Sequence, residues 1–191
     1  MPNVGWILDL TKCTGCHTCE IACKAENNTA PAGSPLPLIS AFSARQTNWR
    51  RVIEVESGTY PNARRAFFSM SCNHCDEPAC MKACPADAIV KRESDGIVLI
   101  DQDRCIGCRY CAAACPYGAP QFNEETGVME KCTFCVHRID AGLEPACVTA
   151  CIGRALSWSY DVDAPGEPPP EFADPRLTRP NIEWRRDIVH G

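Results

Sequence analysis

No stretch of this 191-residue chain approaches the roughly 18 to 20 consecutive apolar residues needed to cross a bilayer; its longest apolar runs are a few residues. The opening Met-Pro-Asn-Val-Gly-Trp-Ile-Leu-Asp-Leu has no basic segment leading into an apolar one, so no secretory signal is read. The chain is therefore expected to be soluble, or peripheral to a membrane as part of a complex. The side is left open between cytoplasmic and periplasmic, the latter by folded co-export with a partner that bears a signal. An excess of basic residues is also lacking: 19 Lys and Arg stand against 24 Asp and Glu, a net charge of -5, which argues against nucleic acid as a partner. No nucleophile–base pair, phosphate-cradling loop or pair of catalytic acids occurs at a convincing spacing. A substrate site of its own is not expected.

Cysteine is abundant instead, at 16 of 191 residues, and the spacing gives it a meaning. Cys105-Ile-Gly-Cys-Arg-Tyr-Cys-Ala-Ala-Ala-Cys115-Pro116 spells C-x2-C-x2-C-x3-C-P, the ligand run of a bacterial [4Fe–4S] ferredoxin. In such a run the first three thiolates hold one cluster and the fourth holds another, so one run requires a second. Cys13-Thr-Gly-Cys16-His-Thr-Cys19-Glu-Ile-Ala-Cys23 repeats the spacing with Lys24 in place of the proline. Cys72-Asn-His-Cys75-Asp-Glu-Pro-Ala-Cys80-Met-Lys-Ala-Cys84-Pro85 is two residues longer in its middle. The fourth run is split into Cys132-Thr-Phe-Cys135 and Cys147-Val-Thr-Ala-Cys151.

Four quartets use every cysteine. A disulfide framework requires an oxidising compartment and gives no reason for four endings of the form C-x3-C. Structural zinc uses pairs of C-x2-C and does not account for three contiguous runs. Four clusters at about -2 each would bring the chain to roughly -13.

The second and third runs both end in Cys-Pro and are joined by one short hairpin, the internal linkage of a two-cluster ferredoxin. The first and fourth are left to pair across the whole chain. The expected ligand sets are Cys13, Cys16, Cys19 and Cys151; Cys23, Cys132, Cys135 and Cys147; Cys72, Cys75, Cys80 and Cys115; and Cys84, Cys105, Cys108 and Cys111. The fold class is read as α+β, with two ferredoxin-like two-cluster modules, one inserted in the other, long loops and an extended C-terminal tail. One module takes residues 1–26 and 116–160, the other residues 71–115. Residues 27–70 form a loop and strand insertion, and residues 161–191 a Pro-rich tail without a core of its own.

Strands are expected over residues 4–10, 49–56, 63–70, 88–91, 96–101, 121–123, 127–130 and 155–160, and a helix from Cys16 to about Glu26. Residues 27–40, with Pro31, Gly33, Pro35 and Pro37, are read as irregular. His17, His74 and His137 are expected to hydrogen-bond to sulfur or loop carbonyls, since four cysteines already saturate each cluster. Lys12, Lys24, Lys82, Arg104, Arg109 and Lys131 flank the runs, either as ordinary solvated charges or as offsets to cluster charge. Tyr110, Phe134 and Trp158 are expected to pack around the clusters.

With these runs in place the chain resembles the four-cluster iron–sulfur subunits of molybdenum or tungsten oxidoreductases, especially those of dimethyl sulfoxide reductase. The likeness rests on Lys12-Cys-Thr-Gly-Cys16, Ser71-Cys-Asn-His-Cys-Asp-Glu-Pro-Ala-Cys80, Cys105-Ile-Gly-Cys-Arg-Tyr-Cys111, Cys115-Pro-Tyr-Gly-Ala-Pro-Gln121, Glu130-Lys-Cys-Thr-Phe-Cys135 and Arg179-Pro-Asn-Ile182. It implies a non-catalytic electron-transfer subunit of the type used in anaerobic respiration, carrying four [4Fe–4S] clusters. Its partners would be a large catalytic subunit with a molybdenum or tungsten bis-pterin and, in many relatives, a quinone-reactive membrane anchor. The Cys13 quartet would face the catalytic subunit and the Cys105 quartet the quinone end. Relatives of the nitrate reductase type replace the second cysteine of the third run; here it is Cys108, which implies a full [4Fe–4S] cluster. Ile152 departs from the proline that commonly follows the last cysteine. Rival readings are a soluble polyferredoxin carrier and the electron-transfer subunit of a hydrogenase or formate dehydrogenase.

Overall fold

The computed structural model describes residues 2–29, 47–162, 166–169 and 172–185. The part of the Pro-rich loop from residue 30 to 40 lies outside them. Among the described residues the fold mixes short helices with four small sheets.

The first strand, β1 (Val4–Asp9), carries the inward-facing apolar residues Val4, Trp6 and Leu8, all buried. This is the period-2 pattern of a strand with one face on a core. It is the centre of a three-stranded sheet. Antiparallel β8 (Leu156–Tyr160) sets Trp6 opposite Trp158 and Leu8 opposite Leu156. Parallel β9 (Ile182–Arg185) sets Trp6 beside Ile182 and Leu8 beside Trp184.

The strand β9 falls in the segment expected to be a tail without a core. It has no core of its own, but Ile182 and Trp184 are buried in the common one. Trp184 meets Phe68 edge-on at 6.0 Å and Phe172 at 5.1 Å. The many prolines around it masked a four-residue strand whose alternation is too short to stand out.

The other strands form hairpins close to where they are expected. They are β2 (Arg51–Ser57) with β3 (Arg64–Met70), β4 (Ile89–Lys91) with β5 (Val98–Ile100), and β6 (Gln121–Phe122) with β7 (Met129–Glu130). Each feeds the chain into a cysteine run. The helices lie within or beside the runs: α1 (Thr18–Asn27), α2 (Ala79–Lys82), α3 (Tyr110–Ala114), α4 (Val136–Asp140) and α5 (Ala146–Thr149). Such short helices are marginal alone and depend on what they pack against.

Trp6 ties the elements together. Its indole N–H donates to the Cys72 carbonyl at 2.9 Å, and its ring stacks on Phe134 at 3.9 Å. One strand thereby touches the second and fourth runs at once. Replacing Trp184 by Ala removes the buried anchor of β9 and is expected to cost about 3–5 kcal/mol. A loss below about 1 kcal/mol, read as the shift in denaturant midpoint of the intact protein, would mean that β9 is dispensable to the core.

Candidate metal centres

The four runs share a backbone device. In the C-x-x-C that opens each run, the residue just before the second cysteine has a positive φ: Gly15 at 69°, His74 at 45°, Gly107 at 66° and Phe134 at 57°. This left-handed conformation turns the chain sharply between two cysteines. Glycine adopts it without strain, whereas His and Phe do so at a cost of roughly 1–3 kcal/mol. Packing holds them there: Phe134 is fully buried under Trp6, and His74 is fully buried edge-on to Phe134 at 5.3 Å. The sequence pattern shows the glycines but conceals the other two.

Three quartets each line a single cavity. Cys13, Cys16, Cys19 and Cys151 ring one, with Leu8 and Val52. Cys72, Cys75, Cys80 and Cys115 ring a second, with Asn73 and Lys131. Cys84, Cys105, Cys108 and Cys111 ring a third, with Ile89, Ile100 and Met129. Cys23, Cys132, Cys135 and Cys147 are all buried, and their charges couple: Cys147 and Cys135 act on Cys23, and Cys23 and Cys147 act on Cys132.

The short helices carry neighbouring quartets. Cys19 and Cys23 lie on α1, and Cys147 and Cys151 lie on and just beyond α5. Cys80 and Cys84 bracket the end of α2, and Cys111 and Cys115 lie on and at the end of α3. A spacing of four is about one helical turn, so the two cysteines of each pair face the same way one level apart.

Burial sets the electrostatics. It pushes the thiols of Cys23, Cys75 and Cys80 up to about 12 and that of Cys111 to about 11, and Cys132 rises as well. Cys16, exposed, goes the other way because the Thr18 hydroxyl donates to its Sγ at 3.3 Å. Backbone amides also aim at sulfur: Phe134 N–H at Cys132, Ala88 N–H at Cys84 and Met129 N–H at Cys105, each at 3.4 Å.

This donor set fits [4Fe–4S] clusters. Metal-bound thiolate offsets the desolvation that keeps these thiols protonated, and amide donors to sulfur are the usual surroundings of such clusters. Asn73 lines the second cavity with both side-chain polar atoms buried and without a partner among the described residues, which fits a group bound beside it. Among the described residues no group of His, Cys, Asp or Glu closes tightly enough to hold a single metal ion.

Among the described residues, the partners of His17, His74 and His137 are not the sulfurs or carbonyls expected. His74 Nδ1 accepts the Val98 N–H at 3.0 Å, and burial holds its imidazole well below the usual range. His17 faces Glu20 and His137 faces Glu26, each at 2.8 Å. Tyr110 is largely exposed instead of packed, while Phe134 and Trp158 do pack, meeting edge-on at 5.9 Å.

Of the flanking cations, Lys12 and Lys82 pair with Asp9 and Glu77, Arg104 reaches the Ala86 carbonyl, and Arg109 lies 3.9 Å over the Phe122 ring. Lys24 is buried and donates to the Thr47 carbonyl at 3.2 Å. Lys131 is buried against the second cavity, where it donates to the carbonyls of Val98 and of Cys132 and offsets only part of the upward push of burial on the Cys80 thiol. The buried Arg50 escapes sequence reasoning, because it sits in a strand-like stretch far in sequence from any cysteine.

A family model of the 4Fe-4S dicluster domain matches residues 63–160. The chain is 43% identical over 162 residues to a chain of the anaerobic dimethyl sulfoxide reductase of Escherichia coli (strain K12), covering 81% of this chain and 72% of that relative. It is 43% identical over 163 residues to a subunit of the sulfite dehydrogenase of Allochromatium vinosum, covering 81% and 68%. To a subunit of the tetrathionate reductase of Salmonella typhimurium it is 42% identical over 149 residues, covering 78% and 54%.

An added Cβ at Gly15 would stand 2.5 Å from the Phe67 ring, in a backbone conformation that alanine resists. Gly15→Ala is expected to cost about 1–3 kcal/mol and to release iron selectively from the first quartet, leaving roughly 12 of 16 irons. Iron analysis of the purified variant reads this directly, and full retention of iron would contradict it.

Proposed function

This chain belongs to the 4Fe-4S dicluster family and is an iron–sulfur electron-transfer subunit of dimethyl sulfoxide reductase-family complexes; from that premise we propose that it relays single electrons between a pterin-bearing catalytic subunit and a quinone-reactive anchor. The observation that carries the reading is the alternation of quartets along the helices. The helices α1 and α5 each join the Cys13 and Cys23 quartets, and α2 and α3 each join the Cys72 and Cys105 quartets. Cys72 and Cys132 share one core cluster, which supports the order Cys13 quartet, Cys23 quartet, Cys72 quartet, Cys105 quartet.

We assign the four ligand sets as expected from the runs; the three cavities each lined by one set, and the burial of Cys23, Cys132, Cys135 and Cys147 together, support the assignment. The first and last of these sites are formed or flanked by exposed residues. Cys16 is exposed at one end with Ile21 and Ile152 nearby in sequence, and Ile106 and Tyr110 are exposed at the other. The middle two sites are walled in by the Trp6–Phe134 stack and the Tyr117–Phe172 stack. Exposed apolar residues next to end ligands suit docking surfaces, and a dry interior suits passage between them. In this reading one ferredoxin-like module comprises residues 71–115 and the other is made from the two ends of the chain. Pairing of β1 with β8 and the contact of α1 with α5 support the second module.

Bound clusters supply one-electron chemistry. The chain's own part is to hold sixteen thiolates in place, to donate amide hydrogen bonds to them, and to keep water from the middle sites. It offers no group for substrate chemistry at these cavities, so substrate specificity falls to the catalytic partner.

Iron and acid-labile sulfide are each expected at roughly 16 per chain, and zinc in their place would remove the basis of the reading. Cys108→Ser is expected to disturb only the last site. In the intact complex, quinone-linked turnover should fall while turnover with an artificial dye that delivers electrons nearer the catalytic subunit is largely kept. Equal loss of both activities contradicts the order. Recovery of the chain as a monodisperse monomer with all clusters and no large partner would favour a free polyferredoxin carrier instead.

A further inference from the structure

A fully buried guanidinium with no carboxylate beside it is costly unless something anionic shares its surroundings. Arg50 is 1% exposed and, among the described residues, pairs with no Asp or Glu. Its Nη1 donates to Ser69 Oγ at 2.9 Å and its Nη2 to Ser71 Oγ at 2.8 Å. The guanidinium carbon lies 4.3 Å from the centre of the Trp6 ring, and Nε has no nitrogen or oxygen partner among the described residues.

Each hydroxyl that accepts from Arg50 keeps one proton to give. Ser69 Oγ stands 3.3 Å from Cys19 Sγ, and Ser71 Oγ donates to the Cys72 carbonyl at 3.3 Å. With Cys19 a metal-bound thiolate, which has no proton to give, Ser69 is the donor in that contact, and Arg50 holds its oxygen in place. Burial works against its charge, but Cys147, Cys132, Cys19 and Cys23 more than compensate. Those four cysteines come from the first two quartets, and none from the Cys105 quartet.

We propose that Arg50 is a positioning residue, the shared internal counter-cation of the Cys13 and Cys23 quartets, and that it raises the reduction potential of both. This rests on the cluster assignment above. One-electron reduction makes a site more negative by one charge, so a fixed buried cation favours the reduced form. Low polarity around Arg50 strengthens that effect relative to the same charge on the surface. Arg104 and Arg109, the cations that flank the Cys105 quartet in sequence, are exposed, so that quartet is the internal reference.

The test is a potentiometric titration followed by paramagnetic resonance, together with iron and sulfide analysis, on the purified complex with wild-type, Arg50→Gln, Arg50→Lys and Ser69→Ala chains. For Arg50→Gln with full iron, the first two sites should show about a tenfold fall in reduced-to-oxidised ratio at their wild-type midpoints, equivalent to about 59 mV for one electron. The Cys105 site should stay put, Arg50→Lys should recover most of the shift, and Ser69→Ala should move the Cys13 site alone. Unchanged potentials in an iron-replete Arg50→Gln protein, or an equal shift at all four sites, would overturn the proposal. If Arg50→Gln loses iron, Arg50→Lys decides: near-native potentials support the role of charge, and lowered potentials at the first two sites refute it. Wild-type iron well below 16 per chain would instead overturn the cluster assignment, which separates the two failures.

Discussion

Thiolates are stable inside a protein only when a cation or a metal shares their surroundings, and this chain buries eight of its sixteen cysteines and leaves only Cys16 exposed. Burial alone drives most of these thiols towards protonation, as at Cys23, Cys75 and Cys80. The apolar core cannot settle this by itself, because cysteines are part of it: Cys19, Cys72, Cys132 and Cys147 pack in the same cluster as Trp6, Phe68 and Phe134. Folding and metal loading are therefore coupled, as in other small domains whose core is shared with metal ligands.

The backbone meets the same constraint through repetition. A positive φ just before the second cysteine of every run turns two thiols towards one point. A helical turn then carries the next cysteine to the neighbouring site. Where the position is glycine the turn is unstrained. Where it is His74 or Phe134 the strain is held by packing, and those two residues are among the most buried in the chain. One device thus serves both as metal cradle and, at its bulky positions, as core.

Most of this was legible in the sequence for a physical reason: ligand spacing is local, and local spacing is written directly in the chain. The four runs, the hairpins that feed them, and β1 and β8 follow from cysteine intervals and short alternations. What was not legible depends on contacts between distant residues. Arg50 is 19 residues from Ser69 and 21 from Ser71, and nothing in Trp-Arg-Arg-Val tells which arginine turns inward. In the structure Arg50 is buried while its neighbour Arg51 reaches out to the carbonyls of Tyr117 and Gly118. The strand β9 was concealed by surrounding prolines, and the partners of His17 and His137 are carboxylates that the cysteine pattern gave no reason to consider.

The placement of cations bears on how such a chain behaves when partners come and go. Arg50 and Lys131 are buried, without carboxylate partners among the described residues, Arg50 beside the first two sites of the proposed order and Lys131 beside the third. Lys12, Lys82, Arg104 and Arg109 lie at or near the surface, and the first two are in ion pairs with Asp9 and Glu77. Surface charges act through water and are screened within about 8–10 Å at ordinary ionic strength, whereas buried ones are screened far less. In the proposed order the sites beside Arg50 and Lys131 are therefore less sensitive to salt than the Cys105 site, whose flanking Arg104 and Arg109 are exposed. A partner that covered Ile106 and Tyr110 would also strip water from those two charges. A relay of the kind proposed would thus be most responsive to what it touches at its Cys105 end.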